Sequence, residues 1–433
     1  MNRKTHETPG PRALPDAQGG ENSFSMGHRE FVAMMAMMMA LQALAIDTML
    51  PALGQIAHDL GVSDPNRRQL VVGVYLLAGG IGALIPGSLA DRFGRRRVVL
   101  ASLSLYVVLS VACALATNFN TLLVLRVLQG LGSAGMTVVP SAIIRDRHAG
   151  DRMARMLSTV SMVFMIVPIL APSLGQFVLM FAGWRWIFAA LAVLAVLLGI
   201  WVWARLEETL HPEFRQPIRP ASIAVNMARA ATNRGATGYV IGSGLVMGGL
   251  FGYVNSVQQL VGEHFGAGAL MPLFFAATGA AMSLASFFNA RIVERFGARR
   301  VSHTALLAFI LFSTTQVLLA SRPDETLWQF MPVMAANVCL IGFIGANFSS
   351  IALQPFAQTA GAASSVQTFL RMAIASGLGM MIGQAYDGSA RPLAWSLLAG
   401  ALLSLALVLF SEKGRLFRRI HPPGGPRVVV DFH

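Results

Sequence analysis

The stretch "MMMALQALAIDTMLP", residues 37–51, is almost wholly apolar yet holds one carboxylate, Asp47. A charged side chain at the centre of a membrane helix costs about 2.5–3.5 kcal/mol on insertion scales. A second apolar run, "LLVLRVLQGLGSAG" (122–135), holds a guanidinium, Arg126. Arg126, Gln129, Ser133 and Thr137 recur at spacings of three and four and share one helix face. Lipid cannot satisfy such a stripe, so it is expected to face a water-filled cavity. Counted at the helical rise from the nearer end of their runs, Asp47 lies ~10 Å deep and Arg126 ~7.5 Å deep. The two are therefore expected to share one cavity. Removal from water favours the neutral acid, whereas a neighbouring guanidinium favours the carboxylate. An acid held between those tendencies suits proton exchange. Two plainer readings stand beside this: Asp47 caps the helix break before Pro51, and Arg126 snorkels to the membrane surface. Cys113 and Cys339 fall in different apolar runs and suggest neither a disulfide framework nor a metal site.

The elements that must position these groups are membrane helices. Of 433 residues, 55% are hydrophobic and 12% charged, against about 25% charged in soluble domains. Twelve runs long enough to cross ~30 Å of hydrocarbon fall near 31–54, 69–89, 98–116, 121–144, 156–181, 183–204, 238–260, 268–290, 301–320, 326–351, 363–386 and 391–411. If they alternate across the membrane, one set of loops holds nearly all the lysines and arginines. The other set holds only Arg67, Arg68, Arg185, Arg322 and Arg391. The formal charge of +13 is thus a topology signal, with both termini cytoplasmic, and not a sign of nucleic-acid binding. Residues 1–30, rich in Pro, Gly and polar types, read as a disordered cytoplasmic N-terminus and lack a signal-peptide pattern.

The chain also repeats itself. "LADRFGRRRV" (89–98) and "IVERFGARRV" (292–301) each lie between the second and third spans of a six-span half. Asp91, Arg92 and Gly94 match Glu294, Arg295 and Gly297. The expected organisation is two six-helix bundles, 31–204 and 238–411, with a cytoplasmic linker at 205–237 and a cytoplasmic tail at 412–433. Such repeats are typical of secondary transporters, whose sites lie near the midplane between the halves. Gly94 permits a tight turn with positive φ. Asp91 can accept from an arginine, such as Arg95, or from a helix N-terminus, forming a latch made in one conformation and broken in the other. Plain topological anchoring by the arginines is compatible with this.

These residues resemble a known family. "GSLADRFGRRRV" is similar to the signature loop of the major facilitator superfamily, and 122–135 to the fourth-span motif of its proton-coupled drug exporters. "VPILAPSLGQ" (167–176) resembles the fifth-span antiporter motif, with Ala171 and Gln176 where glycines are usual. "IDTMLPAL", "AIIRDRHAGDRMARMLS", "GWRWIF" and "EETL" resemble the bicyclomycin-resistance (Bcr/CflA) branch. The resemblance covers roughly 30–410. It implies an all-α integral membrane protein, twelve transmembrane helices in two pseudo-symmetric bundles. In the fifth span, Pro168 and Pro172 each remove a backbone donor and bend the helix, with Gly175 beside them. That suits a gate or a seal against proton leak, or ordinary packing through small residues.

In the second half, Phe251, Tyr253, Asn255 and Gln258 of the seventh span and Asn337 and Asn347 of the tenth are candidate cavity residues, since drug-sized sites are mostly apolar with few polar anchors. Arg371 lies ~12 Å inside the eleventh span. It either snorkels to the cytoplasmic surface or reaches the cavity and attracts an acidic or zwitterionic substrate. The expected function is export of drug-like or metabolite small molecules across a bacterial inner membrane, driven by the proton gradient, by a monomer without cofactor or enzymatic activity. The rivals are a proton symporter importing one metabolite, and a non-transporting sensor or scaffold.

Overall fold

The computed structural model describes residues 26–64, 66–148, 156–157, 159–160, 166–210, 213, 215, 232–356 and 360–417. Every regular element among them is helical. The first span is His28–Asp47, followed by a 3-10 turn at Leu50–Ala52 and a short helix, Leu53–Asp59. The second is a pair, Leu70–Gly82 and Leu84–Phe93, bent by 45° together with the preceding turn. Pro86 causes that bend, because it removes the N–H that would reach back to Gly82. The third to sixth are Arg95–Ala114, Phe119–Arg147, Val167–Phe181 and Arg185–Arg205. The seventh, Arg234–Val257, continues into a π-helical turn, Gln258–His264. Met271–Phe296, Ala298–Ala320, Leu327–Leu353, Ala360–Gln384 and Arg391–Ser411 complete the second half.

Ten helices among the described residues are long and apolar enough to cross a membrane, and the bent pair makes an eleventh. The fifth span is described as a regular helix over only 15 residues, because residues 161–165 lie outside the described set. Helix starts are set by local chemistry. The Asn118 side chain accepts from the Thr121 N–H at 2.8 Å, Asn233 accepts from the Ala236 N–H at 3.1 Å, and Thr326 with Gln329 forms a reciprocal capping box.

Two expected boundaries move. The first helix begins at His28, inside the segment expected to be disordered. Glu30 is held there by Arg205 Nε at 2.8 Å and Trp201 Nε1 at 3.1 Å. Glu412, expected to open the cytoplasmic tail, is buried in the second bundle. It accepts from Arg299 Nε at 2.7 Å and from the Tyr239 hydroxyl at 2.6 Å.

The two bundles meet along the second and eleventh spans and along the fifth and eighth. Polar contacts between them lie at the end opposite the basic loops, here the far end. Asn66 Nδ2 donates to the carbonyls of Gln384 and Tyr386 at 3.1 and 2.8 Å. Gln384 Nε2 donates back to the Asn66 carbonyl at 2.7 Å, and Arg68 pairs with Glu263. At the basic end, each described ion pair stays within its own bundle.

The far end also holds a buried acid outside the spans. Glu325 lies between the ninth and tenth spans with its side chain 4% exposed, and His264 Nε2 stands 3.8 Å away, beyond hydrogen-bond distance. Burial pushes its carboxyl up to about 7. The unfolded chain loses this proton at lower pH than the folded chain does. Stability should therefore be fully present at acid pH, decline as pH rises from the ordinary carboxylate range to about 7, and level off above. Thermal unfolding of the purified protein across this window should show that decline, and Glu325→Gln should flatten it and raise the melting temperature at pH 8.

Candidate functional site

A cavity of about 560 Å³ lies between the bundles. Its walls come from the first, second and fourth spans on one side and the seventh, eighth, tenth and eleventh on the other. Most of the lining is apolar, including Met39, Leu76, Phe251, Phe275, Met282 and Met372. It reaches Ser141, Arg145 and Ser364 toward the basic end, while the Asn66 and Arg68 contacts close the far end. The cavity is therefore accessible from the basic end in this conformation.

Asp47 lines this cavity at the point where the first helix breaks. Its side chain is buried, and among the described residues its carboxylate has no hydrogen-bond or ion-pair partner. The break falls where Pro51 lacks the N–H that would reach back to the Asp47 carbonyl, and another span packs against it. The fifth span crosses it so closely that a Cβ on Gly175 would stand 2.2 Å from the Thr48 carbonyl oxygen and 3.1 Å from Pro51 Cγ. Only a glycine permits that approach. Pro172 lies inside the same helix; the side chain of Pro168 lies outside what the structure describes.

Arg126 is not in the cavity, which corrects the expectation that it shares one with Asp47. It is fully buried inside the first bundle. Its Nε donates to the Val71 carbonyl at 2.9 Å, Nη2 to the Ala45 carbonyl at 3.0 Å and Nη1 to Gln129 Oε1 at 2.7 Å. The Tyr75 ring centroid lies 4.1 Å from the guanidinium carbon. Gln129 passes the chain on to Ser110 Oγ at 2.7 Å, and Ser133 turns back on the Gly130 carbonyl at 2.8 Å. Of the expected stripe only Thr137 lines the cavity. Arg126 and Gln129 are satisfied by neighbouring helices and Ser133 by its own, options that helix periodicity does not distinguish from a wet wall.

In the second bundle, Phe251, Tyr253 and Arg371 line the cavity. Asn255 does not: it is buried, and its Nδ2 donates to the Phe251 carbonyl at 2.9 Å. Gln258 sits in the far-end π-helical turn, 3.4 Å from Glu263. Asn337 accepts from Ser313 at 3.2 Å, and Asn347 donates to Asn289 at 2.7 Å. These last two stitch helices within the bundle. Sequence reasoning missed Gln42, Arg145, Thr278 and Thr368 as lining residues. Gln42 could have been found from its place one turn and a step before Asp47.

The loop expected to act as a latch is organised around Arg95. Its Nη1 donates to Asp91 at 2.6 Å and its Nε to Asp146 at 2.9 Å. Gly94, at φ 101°, starts the third span, and Glu208 caps that start by accepting from the Arg95 N–H at 2.7 Å. A Cβ on Gly94 would lie 2.3 Å from Glu208 Oε2. Arg92 is exposed. In the second half Gly297 repeats the turn at φ 84°, but Ala298 stands where Arg95 does in the repeat. Arg299 takes over, reaching Gln354 at 2.8 Å and Glu412 at 2.7 Å. The side chain of Glu294 lies outside what the structure describes.

Comparison with known proteins is consistent with this architecture. A family model described as Major Facilitator Superfamily matches residues 34–384. A "Bicyclomycin resistance protein homolog" from Haemophilus influenzae is 26% identical over 396 residues, covering 90% of this chain and 98% of the relative. A "Multidrug resistance protein MdtL" from Escherichia coli is 29% identical over 377 residues, covering 86% and 92%. Among solved structures, a D-xylose-proton symporter superposes with TM-score 0.67 at 15% identity, covering 89% of this chain and 99% of that one. A peptide transporter bound to sulfate gives 0.72 at 16%, covering 90% and 96%. These likenesses show the fold.

Two substitutions test the geometry. Gly175→Val should prevent the close approach at Thr48 and hold the far end open. A cysteine placed at Asn66, in a background lacking Cys113 and Cys339, should then react faster with a membrane-impermeant thiol reagent; unchanged labelling would show that Gly175 does not govern closure. Gly94→Val should slow turnover at least several-fold more than it weakens substrate binding, because it displaces Glu208 without touching the cavity. Equal losses in both would indicate general misfolding.

Proposed function

The chain belongs to the Major Facilitator Superfamily and is a multi-pass membrane transporter rather than an enzyme; on that premise we propose that it exports drug-like or metabolite small molecules in exchange for protons, across a bacterial inner membrane with its basic loops in the cytoplasm. The observation that carries this reading is Asp47. It is the only acid lining the cavity among the described residues, it sits on a helix break, and it has no polar partner there to hold it in one state. Proton exchange needs a group that gives up its proton on one side and takes one on the other.

The cycle follows from the closure contacts. With the far end sealed, a substrate enters from the cytoplasm into the largely apolar cavity and Asp47 releases its proton there. Opening of the Asn66 and Arg68 contacts would expose the same cavity to the outside, where substrate leaves and Asp47 is protonated again. Rigid halves rocking about a fixed central site account for this without moving the site itself. The bicyclomycin and multidrug names of the relatives support export as the direction. One carboxylate implies one proton per cycle, so exchange for a univalent cation would move no net charge.

Asp47→Asn keeps the size of the side chain and removes its proton chemistry. In reconstituted vesicles this variant should fold normally and lose pH-gradient-driven substrate accumulation by at least tenfold, an expected size set by general acid–base contributions of ~10²-fold or more. Retained accumulation would remove Asp47 as the proton carrier. Uptake compared between inside-out and right-side-out vesicles separates export from import.

A further inference from the structure

The charges on the cavity wall are unequal. Besides Asp47 it carries two guanidiniums, Arg371 on the eleventh span and Arg145 at the cytoplasmic mouth of the fourth. Arg371 does not reach along its helix to the membrane surface. Its Nη1 donates to the Ser349 hydroxyl of the tenth span, and its Nε is buried without a partner. No carboxylate pairs with it among the described residues. Gln367, one turn earlier, is turned away to the Ala352 carbonyl at 2.9 Å. A guanidinium has five donors in a planar fork, so Arg371 faces the cavity with most of them uncommitted. Arg145 is exposed there and has no described partner.

A half-buried cation with unused donors in an apolar wall is costly. A ligand with two anionic oxygens in one plane would satisfy it by a bidentate pair, the strongest contact such a fork makes. Around it, Leu76, Phe251, Met282 and Met372 offer an apolar bed, and the methionines adapt to varied shapes.

We propose that Arg371 is the substrate anchor of this cavity and selects an anionic group, a carboxylate or sulfonate, on an otherwise apolar molecule. Arg145 draws that anion in at the cytoplasmic mouth. This rests on the cavity being the transport site. It has a consequence for energetics. A monoanion leaving while one proton enters on Asp47 moves two positive charge equivalents inward per cycle. The membrane potential then drives export directly, which it does not do for exchange of a univalent cation.

The test is equilibrium binding of a matched pair of probes to the purified full-length protein: naphthalene-2-sulfonate and trimethyl(2-naphthyl)ammonium, which share one ring system and differ in charge. The wild type should bind the sulfonate at least about tenfold more tightly, the size expected when one charged hydrogen-bonded pair is made. Arg371→Gln should abolish that preference while leaving the ammonium affinity within about threefold, and Arg371→Lys should keep part of it. A wild type that prefers the ammonium probe, or binds neither, overturns the proposal. So does an Arg371→Gln variant with unchanged preference. Thermal unfolding checks that the variants fold; if Arg371→Gln does not, Arg371→Lys decides, with unchanged sulfonate affinity counting against the anchor. Asp47→Asn should retain the sulfonate preference; if it also retained pH-gradient-driven accumulation, the reading of Asp47 as proton carrier would fall and this one would stand.

Discussion

The first bundle is arranged around one buried cation. Among the described residues Arg126 has no carboxylate partner, yet it is fully enclosed. It is held by two main-chain carbonyls, one amide and an aromatic face. Three hydrogen bonds to a charged donor contribute about 1.5–3 kcal/mol each, and a desolvated cation–π contact about 2 kcal/mol. Burying the ion costs several kcal/mol. These contacts offset that cost, and because they reach other spans they also set the arrangement of the bundle. Arg126 fixes the first, second and fourth spans in one register, and Gln129 extends the network to Ser110 of the third. The Ala45 carbonyl it engages lies two residues before Asp47, so the helix end that presents the acid is held by this cation.

Closure at the far end depends on that arrangement. With the end of the first span fixed, the fifth span can lie against Thr48 and Pro51 at the distance only Gly175 allows. The second span then brings Asn66 and Arg68 to the second bundle, where backbone carbonyls and Glu263 receive them. These are few, partly exposed contacts. A seal of that kind can be exchanged for another at moderate cost, as alternating access requires.

At the basic end the two halves solve one problem with different residues. Each must hold the start of its third span against the ends of its fourth and sixth. Arg95 does so through Asp146, with Glu208 on the backbone. In the second half Arg299 does so through Gln354 and Glu412. The repeat in the sequence aligns Arg95 with Ala298, so the structural role has moved by one residue while the turn at Gly94 and Gly297 has stayed.

Much of this protein is determined by its sequence taken alone. Run length, the alternation of basic loops and the repeated acid-Arg-Phe-Gly motif specify the all-helical fold, because bilayer thickness and the glycine-only turn constrain each residue locally. Asp47 and Thr137 in the cavity wall were legible, as were Phe251, Tyr253 and Arg371. What periodicity cannot decide is which side of a polar stripe meets water and which meets another helix. Arg126, Gln129, Ser133, Asn255, Asn337 and Asn347 have the same helical spacing as cavity residues. Only the tertiary packing turned them inward: Arg126, Gln129, Asn337 and Asn347 found partners on adjacent helices, while Ser133 and Asn255 bond carbonyls of their own helices. The pairing of Asn66 with Gln384 joins positions 318 residues apart, and no local pattern marks it. Such contacts exist only once two separately folded bundles are set against each other.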